Sequence, residues 1–182
     1  MTSLLPIRDE LKERAGRLSP EAQRVLSVAV VQRCLPLLNQ SADRDEVRRP
    51  VADLASEGLA AAWAVCAGAP GGSDVAARLR AYGPEDPGDP ILHDDKSVLA
   101  FVQDLPDLID APGLYLAVVA EIMYSRNRRG FPGRPYGSGE LLEVAAQARE
   151  IEWLEREPVT PQLVDRIREH AIAVGGELAG PL

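Results

Sequence analysis

The stretch Ser19–Leu38, SPEAQRVLSVAVVQRCLPLL, decides the fold. Ser19 suits an N-cap and Pro20 the first helical position, where a missing N–H costs nothing. Glu21 falls in the first turn, where the helix dipole favours a negative charge. From Val25 to Val31 only Ser27 is polar, so no strip of this helix faces water. A helix apolar on all sides belongs in the middle of a fold. Val25, Val28, Val30 and Val31 would also suit a strand, but the caps and the length before Pro36 favour a helix ~24 Å long. Pro36 is expected to end or kink it, because proline removes a donor and crowds the preceding turn.

Around this central rod the pattern is helical throughout. Pro6 to Ala15 reads as a short helix stopped by Gly16. Asn39 to Asp45 reads as a polar connector. Pro50 to Ala67 carries Val51, Leu54, Ala55, Leu59, Ala62, Trp63 and Cys66 at helical spacing. Gly58 in its middle suits close approach by a neighbouring helix. Ser73 is expected to cap a short helix to Tyr82. PEDPGDP excludes regular structure, and Asp94 or Asp95 to Leu105 is helical again. Pro106 and Pro112 break the path around DLID, and Gly113 to Arg126 forms a second apolar helix. Residues 127–138 form a loop rich in Arg, Gly and Pro. Glu140 to Arg156 then lines one side with Leu141, Val144, Ala145, Ala148, Ile151 and Leu154. A last helix from Pro161 is expected to stop at Gly175-Gly176, leaving 176–182 as a frayed tail. The fold class is all-α: residues 1–182 form a single domain, an orthogonal or bundle-like array of about seven to eight helices.

A chain of 182 residues can bury a substantial core. No apolar run reaches the ~18 residues of a membrane span. The start, MTSLLPIRDELKER, turns charged too early for a signal peptide. Cys34 and Cys66 lack the spacing of a zinc site or a disulfide framework and read as reduced core thiols of a cytoplasmic protein. The net charge is −8. Between Pro84 and Asp110 eight acids face Lys96 alone, a sum of −7, which leaves the remainder near neutral. Such a segment gains nothing from the phosphate attraction that drives nucleic-acid binding. Its field attracts a basic partner instead, and Glu85, Asp86, Asp89, Asp94 and Asp95 are the candidate acidic face.

Glu121 is the only ionisable group between Leu114 and Tyr124. A carboxylate there needs a partner, and Arg33 and Arg126 are the candidates; a structural ion pair of Arg33 with Glu121 is favoured over a catalytic acid. His93-Asp94-Asp95 lacks the further ligands of a metal site and suits a helix N-terminus. No nucleophile elbow, phosphate loop or metal-binding helix motif occurs, so no catalytic residue, metal or cofactor is assigned. Arg126, Arg128, Arg129 and Arg134 with Tyr136 form the basic cluster of the chain, suited to a phosphorylated small ligand or an acidic partner.

Three local patterns resemble the YjaG-like bacterial domain of unknown function. In that family an early apolar helix ends in Cys-Glu-Arg-x-x-Pro. Here Val31-Gln32-Arg33-Cys34-Leu35-Pro36 matches at Arg33 and Pro36, with Gln32 in place of the glutamate. Glu121, Ser125 and Arg126 match a later Glu-x-x-x-Ser-Arg pattern, and the helices around Trp63 and from Glu140 to Arg156 follow in the family's order. The resemblance covers about two-thirds of the chain. It implies a helical fold in which Arg33 and Glu121 matter together, and it points by analogy to immunity or accessory proteins.

These observations favour a non-catalytic protein that binds another protein, its partner basic, with no nucleic acid and no membrane involved. They leave homo-oligomerisation open. A phosphorylated-ligand-binding protein or enzyme built on the Arg126–Arg134 loop is the alternative.

Overall fold

Ser19 Oγ accepts a hydrogen bond from the Ala22 N–H at 3.2 Å, and the central helix starts on that cap. A computed structural model of the chain describes residues 5–44, 49–82, 104–110 and 138–179. Among these residues there are seven helices and no strand: α1 Leu5–Gly16, α2 Pro20–Arg44, α3 Arg49–Cys66, α4 Ser73–Ala81, α5 Leu105–Asp110, α6 Ser138–Arg156 and α7 Pro161–Ala179. They pack as an all-helical, bundle-like array.

Helix α2 is the axis of the array. Every residue from Val25 to Cys34 is buried, including Ser27, Gln32 and Arg33. Helix α7 runs against it over the longest contact, with α3 next, while α5 and α6 touch it more briefly. Helix α1 packs on α6, and Arg14 Nε and Nη2 donate to Glu155 at 3.0 and 2.7 Å across that contact. Trp63 is 3% exposed, and its Nε1–H donates to Gln32 Oε1 at 2.9 Å, which fastens α3 to α2.

Five expectations are corrected. Helix α2 is 25 residues long and continues through Pro36 to Arg44, so 39–44 is helix rather than connector. An interior proline costs ~3 kcal/mol or more. Beyond it Leu37, Leu38 and Ala42 are each 1% exposed or less, and burying a leucine returns ~1.5–3 kcal/mol. Gln40 Nε2 also donates to the Ala179 carbonyl at 3.1 Å, which ties the end of α2 to the end of α7.

Helix α7 likewise runs through Gly175-Gly176 to Ala179, so residues 176–179 are not a frayed tail. A Cβ at Gly175 would sit 3.1 Å from Arg33 Cα and 3.3 Å from its carbonyl oxygen. This glycine permits α7 to lie on the α2 backbone; it is a contact residue, not a stop.

DLID is helical, not a broken path, because Pro106 falls in the first turn of α5, where no intrahelical N–H bond is lost. Gly72, not Ser73, occupies the N-cap position of α4.

The fifth correction is the face of α6. Leu141 is 56% exposed and Ala145 also faces water, whereas Glu143, Ala146, Gln147, Glu150, Ile151 and Leu154 are buried. The inward face of this helix is half polar. Close approach at Gly58 is present: a Cβ there would stand 2.7 Å from Leu79 Cδ1 and 2.9 Å from Leu105 Cδ2, so α4 and α5 both close on α3 at this point. The expected helices over 94–105 and 113–126 lie, apart from Asp104 and Leu105, outside the described residues.

Candidate functional site

Glu143, Gln147 and Glu150 follow one another at i, i+4 and i+7, so α6 carries all three on one face. That face meets Arg33 in the middle of α2. Arg33 Nε and Nη2 donate to Glu143 Oε2 and Oε1 at 2.7 and 2.8 Å, a two-pronged pair. Arg33 Nη1 donates to Glu150 Oε1 at 2.6 Å. Gln147 Nε2 donates to Glu143 Oε1 at 2.8 Å and so fills the remaining space on that carboxylate. Arg33 and Glu150 are 0% exposed and Glu143 is 2% exposed.

Burial alone would pull the Arg33 guanidinium down. The carboxylates of Glu143 and Glu150, by charge and by hydrogen bonding, outweigh it and hold Arg33 above its ordinary value. Arg33 is therefore a fixed cation. Its removal would leave two buried carboxylates without their counter-ion.

Helix α7 completes the cluster. Glu150 Oε1 also accepts from His170 Nδ1 at 2.9 Å, since an ionised carboxylate only accepts. Glu150 Oε2 is buried with no hydrogen-bond partner. The His170 side chain is 21% exposed, which makes it the member of the cluster that reaches water. The Trp153 ring meets it edge-on, centroids 5.3 Å apart at 74°. Over Trp153 lie the guanidinium carbons of Arg166 at 4.7 Å and Arg149 at 5.8 Å, both in cation–π range. Arg166 is itself paired with Glu157 at 2.6 Å.

The arrangement is suited to pinning three helices in one register. With every donor group of Arg33 engaged and no exposure, no ligand can reach its guanidinium without the interior opening. Among the described residues no group of three or more His, Cys, Asp or Glu side chains is placed to hold a metal ion. Cys34 is buried, and burial pushes the Cys66 thiol up to about 12, opposed in part by Arg24, so Cys66 is no thiolate nucleophile near neutrality.

A half-open cleft of about 340 Å³ lies between α1, the start of α2 and the α6–α7 connection. Leu18, Ala22, Leu154 and Val159 are among its lining residues, and Arg14, already paired with Glu155, stands beside them.

Arg33 is thus an ion-pair residue, and its partners among the described residues are Glu143 and Glu150. Glu121 lies outside the described residues, as do Arg126, Arg128, Arg129, Arg134 and Tyr136 and the acids Glu85, Asp86, Asp89, Asp94 and Asp95. Of the acidic segment, Asp104, Asp107 and Asp110 are described, and Arg80 of α4 pairs with the last two at 3.0 and 2.6 Å.

The glutamates that meet Arg33 were missed because the apolar residues of α6 suggested a different inward face. The signal available was the spacing of Glu143, Gln147 and Glu150 on one helical face, opposite a central helix that contains one arginine in an otherwise uncharged run.

No helix among the described residues is long and apolar enough to cross a membrane. Comparison with protein-family models, curated proteins and solved structures finds no match to this chain.

Proposed function

We propose that this chain is a non-catalytic cytoplasmic protein that acts by binding another protein, an immunity-like or accessory role, with an acidic face directed at a basic partner. The observation that carries the reading is the concentration of charge between Pro84 and Asp110, where eight acids stand against Lys96. Arg80 pairs with Asp107 and Asp110 locally. With Asp104 partly buried, Glu85, Asp86, Asp89, Asp94 and Asp95 are the acids this reading assigns to the partner. A patch of one sign steers an oppositely charged partner and discriminates against others. The strongest ionic constellation among the described residues, around Arg33, is consumed internally, which leaves the acidic segment as the better candidate for recognition.

The test is capture of partners from an extract of the source cells at low and at high ionic strength, with the native chain and with a variant carrying amides at those five positions. The proposal predicts a partner held by the native chain at low salt, released at high salt and not held by the amide variant. Capture that is indifferent to salt and to the five substitutions, or no partner at low salt, contradicts it.

A further inference from the structure

Asp104 stands immediately before α5 and is partly buried, with its Oδ2 shut off from water and without a hydrogen-bond partner among the described residues. A carboxylate oxygen in that condition lacks everything that normally stabilises its charge. The helix it precedes is held from two sides. Leu105, Leu108 and Ile109 are buried, and Leu105 reaches in over Gly58 of α3. On the outer side Asp107 and Asp110 are clasped by Arg80.

The charges around Asp104 make its position worse rather than better. From α4 the cation that reaches α5 is Arg80, already taken by Asp107 and Asp110, while Arg78 is engaged with Glu57 of α3 and with Asp74. Among the described residues α2 and α3 bring no charge that acts on Asp104. The one charge that does is Asp107 of its own helix, and it is of the same sign. Ionised, Asp104 would face a like charge with one oxygen in an apolar setting. The inexpensive relief is for Asp104 to turn into water, which draws the first turn of α5, Leu105 included, away from α3 and α4.

We propose that Asp104 is a proton-operated latch for α5: with its proton the helix docks on α3 and α4, and without it the docking loosens. Burial first, and Asp107 second, push the Asp104 carboxyl up to about 6, which places the switching range near physiological pH. The sign follows from linkage. A carboxyl that holds its proton more tightly when docked favours the docked state most below its undocked value, near 3.9, and loses that advantage as pH rises through 6. The latch stands independently of whether the acidic segment binds a partner.

The test is amide hydrogen exchange of residues 104–110 in the whole protein at pH 5 and pH 7.5, corrected for the intrinsic pH dependence of exchange, in the native chain and in Asp104→Asn. Protection of α5 in the native chain is expected to fall by up to about tenfold between the two conditions, and by less with partial solvent screening. In the Asn variant, which cannot ionise, it should stay at the pH 5 level. A carbon-13 titration of the Asp104 carboxyl in the native chain should turn near 6 rather than near 4. Protection that is flat with pH in the native chain, an equal fall in the Asn variant, or a carboxyl midpoint at its ordinary value would each overturn the proposal.

Discussion

Arg33 and Asp104 are both ionisable residues drawn out of water, one wholly and one in part, and the fold treats them in opposite ways. Around Arg33 two glutamates of α6 engage all three guanidinium nitrogens, and Gln147 and His170 in turn hold those glutamates. Around Asp104 the described residues bring no counter-ion, and the one acting charge among them, Asp107, repels it. The lesson is that burial by itself does not determine whether a charge stabilises or threatens a fold. The first cluster holds three helices in register because each partner has nowhere else to go. The second leaves a short helix responsive to a single proton.

Breaking the Arg33 cluster should have the largest effect. Glu143→Ala removes both prongs from Arg33 and strands part of a buried cation, and chemical denaturation should report a loss of ~3–5 kcal/mol. Next is the backbone contact beside it. Gly175→Ala would push a methyl group against Arg33 Cα at 3.1 Å, an atom of backbone that cannot swing aside. Overpacking outweighs the gain in helix propensity, and a net loss of about 1–2 kcal/mol is expected in the same assay.

At the α5 corner the substitutions should be gentler and one should be favourable. Asp104→Asn removes a charge that disfavours the folded state above pH 6, so at pH 7.5 the variant should be more stable than the native chain by about 1–2 kcal/mol after screening by solvent. At pH 4 the two should converge, and the difference between denaturation midpoints at the two conditions checks the sign. The smallest effect belongs to Gly58→Ala. Its Cβ would crowd the tips of Leu79 and Leu105, at 2.7 and 2.9 Å, and touch Val75 at an ordinary 3.6 Å, and such tips can rotate. A helix-propensity gain of up to ~1 kcal/mol offsets the crowding, so the melting temperature should stay close to native. If Gly58→Ala proves as costly as Gly175→Ala, the distinction between a backbone contact and a side-chain contact is lost.

Much of the fold was legible in residues 19–38, because a helix without a polar face has few places to go except the centre. The length of α2 was not legible. Pro36 looks like a terminator in sequence, and only the burial of Leu37, Leu38 and Ala42 beyond it explains why the helix continues. Gly175 misled for a related reason. Glycine ends helices and also permits close packing, and the partner that distinguishes the two uses, the Arg33 backbone, lies 142 positions away in the chain.

The site was legible by half. Arg33 reads in sequence as one half of an ion pair with Glu121, but its partners Glu143 and Glu150 could not be deduced from apolar patterning, since the face of α6 that meets it is built from Glu143, Gln147 and Glu150. A hydrophobic count placed Leu141 and Ala145 inward, where the structure has them facing water. Long-range charge matching, rather than periodicity, was the information required.

The central claim is that the interior is assembled around the Arg33 ion cluster, and the most direct test is a comparison of denaturation free energies for two variants. Arg33→Met alone should cost ~3–5 kcal/mol because it strands two buried carboxylates. Arg33→Met combined with Glu143→Leu and Glu150→Leu should recover most of that loss, because the whole charged set is then replaced by apolar side chains of similar bulk. A single variant within 1 kcal/mol of the native chain, or a triple variant no more stable than the single one, would contradict the account.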